Sequence, residues 1–508
     1  MTHTVVLGGG ICGLAAGFQL AEHGERVTVL EAQHFLGGLA ATLRGATGAG
    51  FDFGPHAYHA RNERVLALFK EIASDGFPAR PKNVRIKFRG TYYKYPLEAL
   101  DMARSMSPVI ALRAFVDYFG ELVRKKLFPR PLVSAEDWVV GAMGRTLYGL
   151  FFGPYTEKVW GVHPSKLAAS FARHRIPHIS LMKVVVSSLR KGYAKRTGTE
   201  HRYAPLVIEL FYPPKGAGLI AERMAARIRA AGGAAQTGAL VTGIDVEGGK
   251  VSGVRFRRVG ATGVAATGQL ALLASGREGE TVGGLGWEPA GPEEQEERIA
   301  CDRIVSTLPL PVLIELLGDA VRPEARAAAT LLRFRPITVL GLRVKRARCL
   351  PAQSIYFQDK TFTRLSETRN YGGSDVCGPD ETVLLCDITC DLGGRIWNAG
   401  ADELARVIGP ELAAEGFLEP EEIVEAVTLR STMGYPVYLV GYEAAIDTLM
   451  TELLRFEDLV TGGRQGLYKY VDMDIASEMG LAMADHLLSG RTKRETIADV
   501  PYEDRVFA

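Results

Sequence analysis

An α/β fold (α+β overall), built on a Rossmann-like nucleotide-binding domain, is predicted by three observations. These are a strand–turn–helix–strand unit at the N-terminus, a long helical stretch after it, and a strand-rich region beyond residue 337. Thr4-Val5-Val6-Leu7 reads as a buried strand, followed by Gly8-Gly9-Gly10-Ile11-Cys12-Gly13. Residues 14–23 have helical periodicity, Gly24 ends that helix, and residues 26–30 form a second buried strand ending at Glu31. Each glycine of this GxGxxG turn has its own task. Gly8 permits the tight turn, Gly10 lets the backbone approach a pyrophosphate, and Gly13 lets helix and strand pack closely. The helix N-terminus offers free N–H groups to an anion. Glu31, at the tip of the second strand, is placed to accept hydrogen bonds from ribose hydroxyls.

The bulk properties narrow the class. A chain of 508 residues is too long for one core, so two or three domains are expected. Lys plus Arg number 60 against 58 for Asp plus Glu, a net charge of +2, which gives no reason to expect a nucleic-acid partner. No apolar run reaches the roughly 18–20 residues of a transmembrane helix. The N-terminus shows no leader pattern, so a cytoplasmic location is the expectation. Six scattered cysteines without a CxxC pair predict neither a disulfide framework nor a metal site.

Along the chain, residues 62–75 read as a helix and residues 84–95 as a hairpin turning at Arg89-Gly90. Residues 97–175 are mostly helical. A helix at 217–231 precedes strands at 236–246 and 250–257. Residues 258–298, rich in Gly, Ala and Glu, read as a flexible insertion on a hairpin tip. Residues 303–309 return as a buried strand, 402–414 and 441–454 are helical, and a last helix starts near Met473 and runs to 488. Residues 491–508 form a polar tail.

The glycine pair Gly37-Gly38 follows Glu31, and Phe51-Asp52-Phe53-Gly54-Pro55-His56 follows in turn. This start resembles the FAD-dependent amine oxidase and protoporphyrinogen oxidase-like superfamily, which includes UDP-galactopyranose mutase. Distal segments resemble the mutase branch most: Gly153-Pro154-Tyr155-Thr156-Glu157-Lys158-Val159-Trp160-Gly161, Arg173-His174-Arg175-Ile176-Pro177, Phe362-Thr363-Arg364-Leu365-Ser366-Glu367, Gly434-Tyr435-Pro436-Val437, and Gly462-Gly463-Arg464 through Tyr470-Val471-Asp472-Met473. The resemblance implies FAD as cofactor, held by Gly8, Gly10, Gly13, Glu31, Gly37, Gly38, Val241, Arg464, Asp472 and Met473. It implies a discontinuous FAD domain (1–85, 214–257, 299–330 and 455–490), a mainly helical insert (86–213) and a sheet-containing substrate domain (331–454).

The same resemblance implies a small substrate, phosphorylated or a nucleotide-linked sugar, over the flavin. Arg175, Arg364 and Arg464 are planar permanent cations suited to bidentate phosphate contacts. Tyr435 and Tyr470 supply hydroxyls, while Trp160 and His56 fall at the sugar pocket and near the flavin. In the mutase chemistry the flavin, reduced beforehand by NAD(P)H or another reductant, is the nucleophile. The alternative is an oxidoreductase removing a hydride from a small organic substrate. Leu210-Phe211-Tyr212-Pro213-Pro214-Lys215-Gly216 and Val383-Leu384-Leu385-Cys386-Asp387-Ile388 look more like the protoporphyrinogen oxidase branch. Residues 178–212 follow no mutase pattern, and their basic run Arg190-Lys191 to Lys195-Arg196 reads as a solvated loop, with peripheral contact to a membrane surface or to a substrate phosphate as the alternatives. Ordinary structural roles stand beside the functional ones: Trp160 as core, Arg364 paired with Glu367, His56 as a satisfied turn histidine, Asp472 as the cap of the last helix.

Overall fold

A computed structural model describes residues 1–59, 62–88, 90–94, 107–175, 209–259, 269–270 and 296–490, with backbone alone at 174–175 and 269–270. The basic run within 178–212, most of the 258–298 insertion and the 491–508 tail therefore lie outside the described residues.

His3–Leu7 is buried at every position, as befits a strand covered on both faces. It sits inside a five-stranded parallel sheet. The order is Ala234–Gln236, Arg26–Leu30, His3–Leu7, Arg303–Ser306, Leu459–Thr461. This sheet draws on well-separated stretches of chain. The helix Ile11–Glu22 packs against it, and the helices Leu219–Ala230 and Met473–Ser489 pack against that helix. Side-chain size at these crossings is limited by the backbone. A Cβ on Gly480 would sit 2.2 Å from the Cys12 carbonyl oxygen, and one on Gly17 would sit 3.2 Å from Ile228 Cδ1. The last helix begins at Met473 as the sequence predicts.

Beside this layer lies an eight-stranded sheet. Its order is Gln269–Leu270, Ile423–Val437, Arg333–Val344, Thr382–Thr389, Arg364–Glu367, Ser354–Phe357, Val84–Phe88, Thr91–Lys94. The central strand Thr382–Thr389 is buried over seven consecutive residues because both faces are covered. Helix Ala401–Ala413 supplies Leu404, Ile408 and Leu412 to one core, and Phe51, Phe53 and Val339 join Leu385 in another. The strand pair Thr42–Arg44 and Gly50–Asp52 thus ties the two sheets together, and Phe51 packs so closely that a Cβ on Gly341 would meet its ring at 2.4 Å. The N-terminal hairpin, 84–88 with 91–94, becomes the edge of this sheet by pairing in parallel with Ser354–Phe357.

The strand expected at 236–246 is two strands. Gly238, at φ +64, breaks it into Ala234–Gln236 of the parallel sheet and Ala239–Glu247 of a separate three-stranded sheet. Lys250–Arg258 pairs antiparallel with Glu297–Ala300, so the insertion leaves and returns at the end of a strand pair. Both bounding strands reach into the 258–298 interval by a residue or two. The middle region is helical as predicted: Pro108–Leu127, Ala135–Met143, Gly153–Trp160 and Ala169–Arg175, with a π-helical turn at Tyr148–Phe152. Ser134 and Asp137 close a capping box on the second of these.

Because no side-chain movement relieves a clash with the Cys12 carbonyl, Gly480→Ala is expected to cost about 1–3 kcal/mol, read as a lower urea midpoint with an unchanged slope.

Candidate active site

All five strands of the parallel sheet run the same way, so their carboxyl ends lie along one edge, where ligands of such sheets bind. A cavity of about 510 Å³ opens there. The loops that follow four of the strands supply Gly8, Glu31, Thr307 and Gly463 to its wall.

The glycine turn serves three separate needs. Gly8 adopts φ +97, which disfavours any side chain. A Cβ on Gly13 would lie 2.1 Å from the Gly8 carbonyl oxygen, so its task is close packing. A Cβ on Gly10 would meet nothing within 4 Å, so this residue faces open cavity at the N-cap of Ile11–Glu22, where no side chain caps the helix. Gly37 and Gly38, both at positive φ, stand against the same turn. The Gly37 N–H donates to the Gly9 carbonyl at 2.7 Å, and Gly10 and Gly37 form a parallel bridge.

Glu31 has a second task beside any it has toward a ligand. Its carboxylate accepts from the Gly9 amide at 2.7 Å and the Gln33 amide at 2.8 Å, clamping the turn. Burial raises its pKa, and the amide hydrogen bonds oppose that rise. Val241, in the strand Ala239–Glu247, lines the cavity near Glu31, joined through the Ala239 N–H to the Glu31 carbonyl.

The opposite part of the cavity gathers residues from distant segments: His56, Trp160, Tyr356, Arg364, Arg464 and Tyr470. Arg464 lies in the short helix Gly463–Gly466. Its Nη2 donates to the Gly434 carbonyl at 2.7 Å and its Nη1 to the Val471 carbonyl at 3.3 Å. The guanidinium lies 3.9 Å from the Tyr470 ring centre, and Tyr435 stacks on Tyr470 at 5.3 Å and 12°. Among the described residues no carboxylate pairs with Arg464, and its Nε is buried without a hydrogen-bond partner.

Arg364 differs. It pairs with Asp387 on the neighbouring strand, its Nε donating to the carboxylate at 2.7 Å, and its guanidinium stands 5.8 Å from the Tyr356 ring. The expected alternative partner, Glu367, points away: it is buried and accepts from the Cys349 and Leu350 amides, Asn370 and Thr382. Alternation along the strand Arg364–Glu367 puts the two residues on opposite faces. Asp387 feels two opposed effects, burial raising its pKa and the neighbouring guanidinium lowering it. We take the pair as ionised, because Arg364 stays charged and sits in direct contact.

The histidine is not satisfied. His56 Nδ1 is buried with no hydrogen-bond partner, and burial, reinforced by Arg364 and Arg464, pushes its pKa down to about 3. The ring is neutral near pH 7. Trp160 fills both roles weighed for it: buried in the core, edge-on to Phe171 at 4.7 Å, while lining the cavity. Tyr435 does not line the cavity; it forms a layer against Tyr470 and Trp160, and burial raises its hydroxyl pKa. Arg175 ends the helix Ala169–Arg175, and its side chain lies outside the described residues. Asp472 holds the N-cap position of the last helix but makes no side-chain capping bond; its carboxylate lies 3.8 Å from His59 Nε2. The loop between strand and helix is turned so that Asp472 and Met473 line the cavity. Thr307, Tyr356 and Gln358 line it too and went unread in the sequence, where nothing in their neighbours marks them.

Residues 6–72 match the family model of the NAD(P)-binding Rossmann-like domain. The chain is 28% identical over 181 residues to a protein of Klebsiella pneumoniae assigned as a UDP-galactopyranose mutase, covering 34% of this chain and 44% of that one, so the match spans less than half of that relative. It is 26% identical over 373 residues to the protoporphyrinogen oxidase of Bos taurus, covering 69% and 68%. A crystal structure of reduced UDP-galactopyranose mutase superposes with a TM-score of 0.77 at 19% identity over 100% of both chains. The chain thus shares its fold with the FAD amine oxidase superfamily and is similar in sequence to its mutase and protoporphyrinogen oxidase branches.

Two consequences of the site are measurable. Asp387→Asn leaves the half-buried Arg364 charge without its partner and is expected to destabilise by about 1–3 kcal/mol, while Arg364→Met with Asp387→Leu recovers most of this; denaturant titration of the three proteins decides it. His56 has its folded pKa depressed from 6.5 to about 3. Between those values the unfolded chain binds a proton that the folded chain refuses. Its contribution is therefore present above pH 6.5 and lost as pH falls toward 3. A His56→Gln variant is expected to lose stability less steeply across that window, seen in urea midpoints against pH.

Proposed function

We propose that the cavity holds FAD and that the protein is a flavoenzyme acting on a phosphorylated or nucleotide-linked sugar, interconverting its pyranose and furanose forms. The cofactor reading rests on how the residues fit it. Gly10 leaves room for a pyrophosphate at an uncapped helix N-terminus, whose amides and dipole favour an anion. Glu31 stands at the adjacent strand end, and the uncapped start of a second helix, at Met473, borders the same cavity. On this reading the domain is discontinuous, assembled from 1–85, 214–257, 299–330 and 455–490, with the substrate residues carried by 86–213 and 331–454. Reduced flavin supplies a nucleophilic centre in such a reaction, and NAD(P)H is the reductant we expect.

The observation that carries the substrate reading is Arg464. It is a cation in the cavity wall, stacked on Tyr470, with no acidic partner among the described residues. An anionic group of the substrate completes its charge balance, and the stacked rings keep the guanidinium oriented. Held there, a diphosphate leaving group has its developing charge stabilised where water is excluded by Trp160 and Tyr470. His56, neutral, is available to hydrogen-bond a sugar hydroxyl through Nδ1, which has no partner among the described residues. Arg364 acts as a weaker anion site because Asp387 already balances it.

That same pair favours a second reading. If Arg364 is spent on Asp387, the cavity suits a neutral substrate, and the protein is an oxidoreductase that removes a hydride from a C–H bond. Incubation of the dithionite-reduced protein with a panel of nucleotide hexopyranoses separates the two. Conversion to furanose without net oxidation is expected, with binding weakened about 10- to 100-fold in Arg464→Ala. No binding and no conversion, together with anaerobic bleaching of the oxidised flavin by a neutral substrate, would establish the oxidoreductase instead.

A further inference from the structure

Pro108–Leu127 is a helix of 20 residues whose outer face is apolar and uncovered. Its buried side carries Ala114 and Tyr118, packed toward the helix Ala135–Met143. On the other side Val109, Leu112, Phe115, Val116, Phe119 and Val123 are all exposed, Val109 at 75% and even Phe119, the least, at 37%. Their spacing of three, four and seven residues puts them on one stripe. Leu127 and Phe128 extend the stripe past the helix end. Single exposed apolar side chains need no explanation, but a contiguous face of this length marks a contact surface.

The charges indicate what it contacts. Lys125, Lys126 and Arg130 gather at the C-terminal end beside Arg124, which is paired with Glu121, and residues 122–133 contain no carboxylate. The two acids of the helix are spent within the fold. Asp117 accepts from the Thr146 amide at 3.0 Å, and Glu121 pairs with Arg124 at 2.7 Å. A second copy of the chain fits poorly. Antiparallel pairing would set the basic end against Arg113, and parallel pairing would set it against itself. Among the described residues the helix packs on Ala135–Met143 and Arg145–Leu147 through its buried side, and the stripe is the opposite face of that one helix, which suits a flat surface better than a peptide. An apolar stripe with cations at one end is the pattern of a helix lying in the interface of an anionic bilayer. No helix among the described residues is apolar enough to cross one.

We infer that the Pro108–Leu127 face docks on an anionic lipid surface, lying in its plane with Leu112, Val116 and Val123 in the acyl boundary and the Arg124–Arg130 end against the headgroups. The short helix Arg145–Leu147 packs on this helix, and Phe151 and Phe152 just beyond it line the cavity. Docking therefore brings one wall of the candidate active site toward the membrane. The inference stands on this surface and does not depend on which reaction the cavity performs.

Vesicle co-sedimentation of the full-length, flavin-loaded protein tests it. Binding is expected to vesicles of phosphatidylcholine with phosphatidylglycerol, to be weaker with phosphatidylcholine alone, and to fall as salt is raised. Lys125→Glu with Lys126→Glu is expected to weaken binding about tenfold or more. Leu112→Glu with Val116→Glu should abolish it, while thermal melting and flavin absorbance stay unchanged because these side chains face solvent. Equal binding by both double variants and the parent overturns the proposal, as does no binding to either vesicle. A lipid-independent dimer that Leu112→Glu with Val116→Glu dissociates overturns it in favour of a second copy.

Discussion

Backbone contact around the helix Ile11–Glu22 is the constraint on which the rest of the structure depends. The Gly8 carbonyl lies against Gly13, the Cys12 carbonyl against Gly480, and the Cys12 sulfur against Gly463. Each approach is closer than a Cβ allows. Together they seat the first helix between its strand, the last helix and the Gly462-Gly463-Arg464 turn. If that seating is lost, the glycine turn no longer faces the cavity and Arg464 is no longer delivered to it. Two of these contacts join Cys12, near the N-terminus, to Gly463 and Gly480 near the other end of the chain, so this face is assembled from both ends of the sequence.

The site is built in layers behind a few exposed atoms. Glu31 touches the cavity but is held by two amides of the turn region, so a change there disturbs the turn before it disturbs a ligand. The Arg464 guanidinium stands beside both stacked rings, 3.9 Å from the centre of Tyr470 and 5.3 Å from that of Tyr435, and Tyr435 in turn packs near Trp160. The stack fixes the guanidinium plane without an acidic partner. That is an economical way to hold a cation in a wall, because an aromatic face attracts charge without neutralising it.

How much of this was legible depended on the range of the interaction. The first βαβ unit, the hairpin at 84–94 and the last helix were readable because periodicity and glycine punctuation are local. The break at Gly238 was missed because Gln236 and Ala239 belong to different sheets, a fact that appears only when distant strands pair. Glu367 was weighed as the partner of Arg364 on sequence proximity; a strand alternates its faces, so the true partner, Asp387, came from the neighbouring strand. Tyr435 matched a family pattern; it does not line the cavity wall, but its ring stacks on Tyr470 and borders the Arg464 guanidinium. Thr307 and Tyr356 bear no motif and reach the cavity only through the sheet order. The apolar stripe of Pro108–Leu127 was visible as helix, but its exposure is a property of what does not pack on it.

The two arginines of the cavity wall now bear unequally on its chemistry. Their shared residue type suggested one phosphate grip, but the surroundings separate them. Arg364 contributes little net charge to the cavity, since the buried carboxylate of Asp387 is in direct contact with it. Among the described residues Arg464 contributes a whole charge, tempered by two carbonyls and the Tyr470 and Tyr435 rings. His56 registers the sum: both guanidinium groups, after burial, hold its ring neutral. A cavity in which the histidine is already driven neutral and one cation stands alone is electrostatically incomplete. An anion bound at Arg464 would pair the cation and offset its effect on His56, while the larger effect of burial on the ring would stay. A neutral substrate would do neither. Charge balance therefore favours an anionic ligand on the Arg464 side, and the Arg364–Asp387 pair then reads as the element that confines that anion to one side of the cavity.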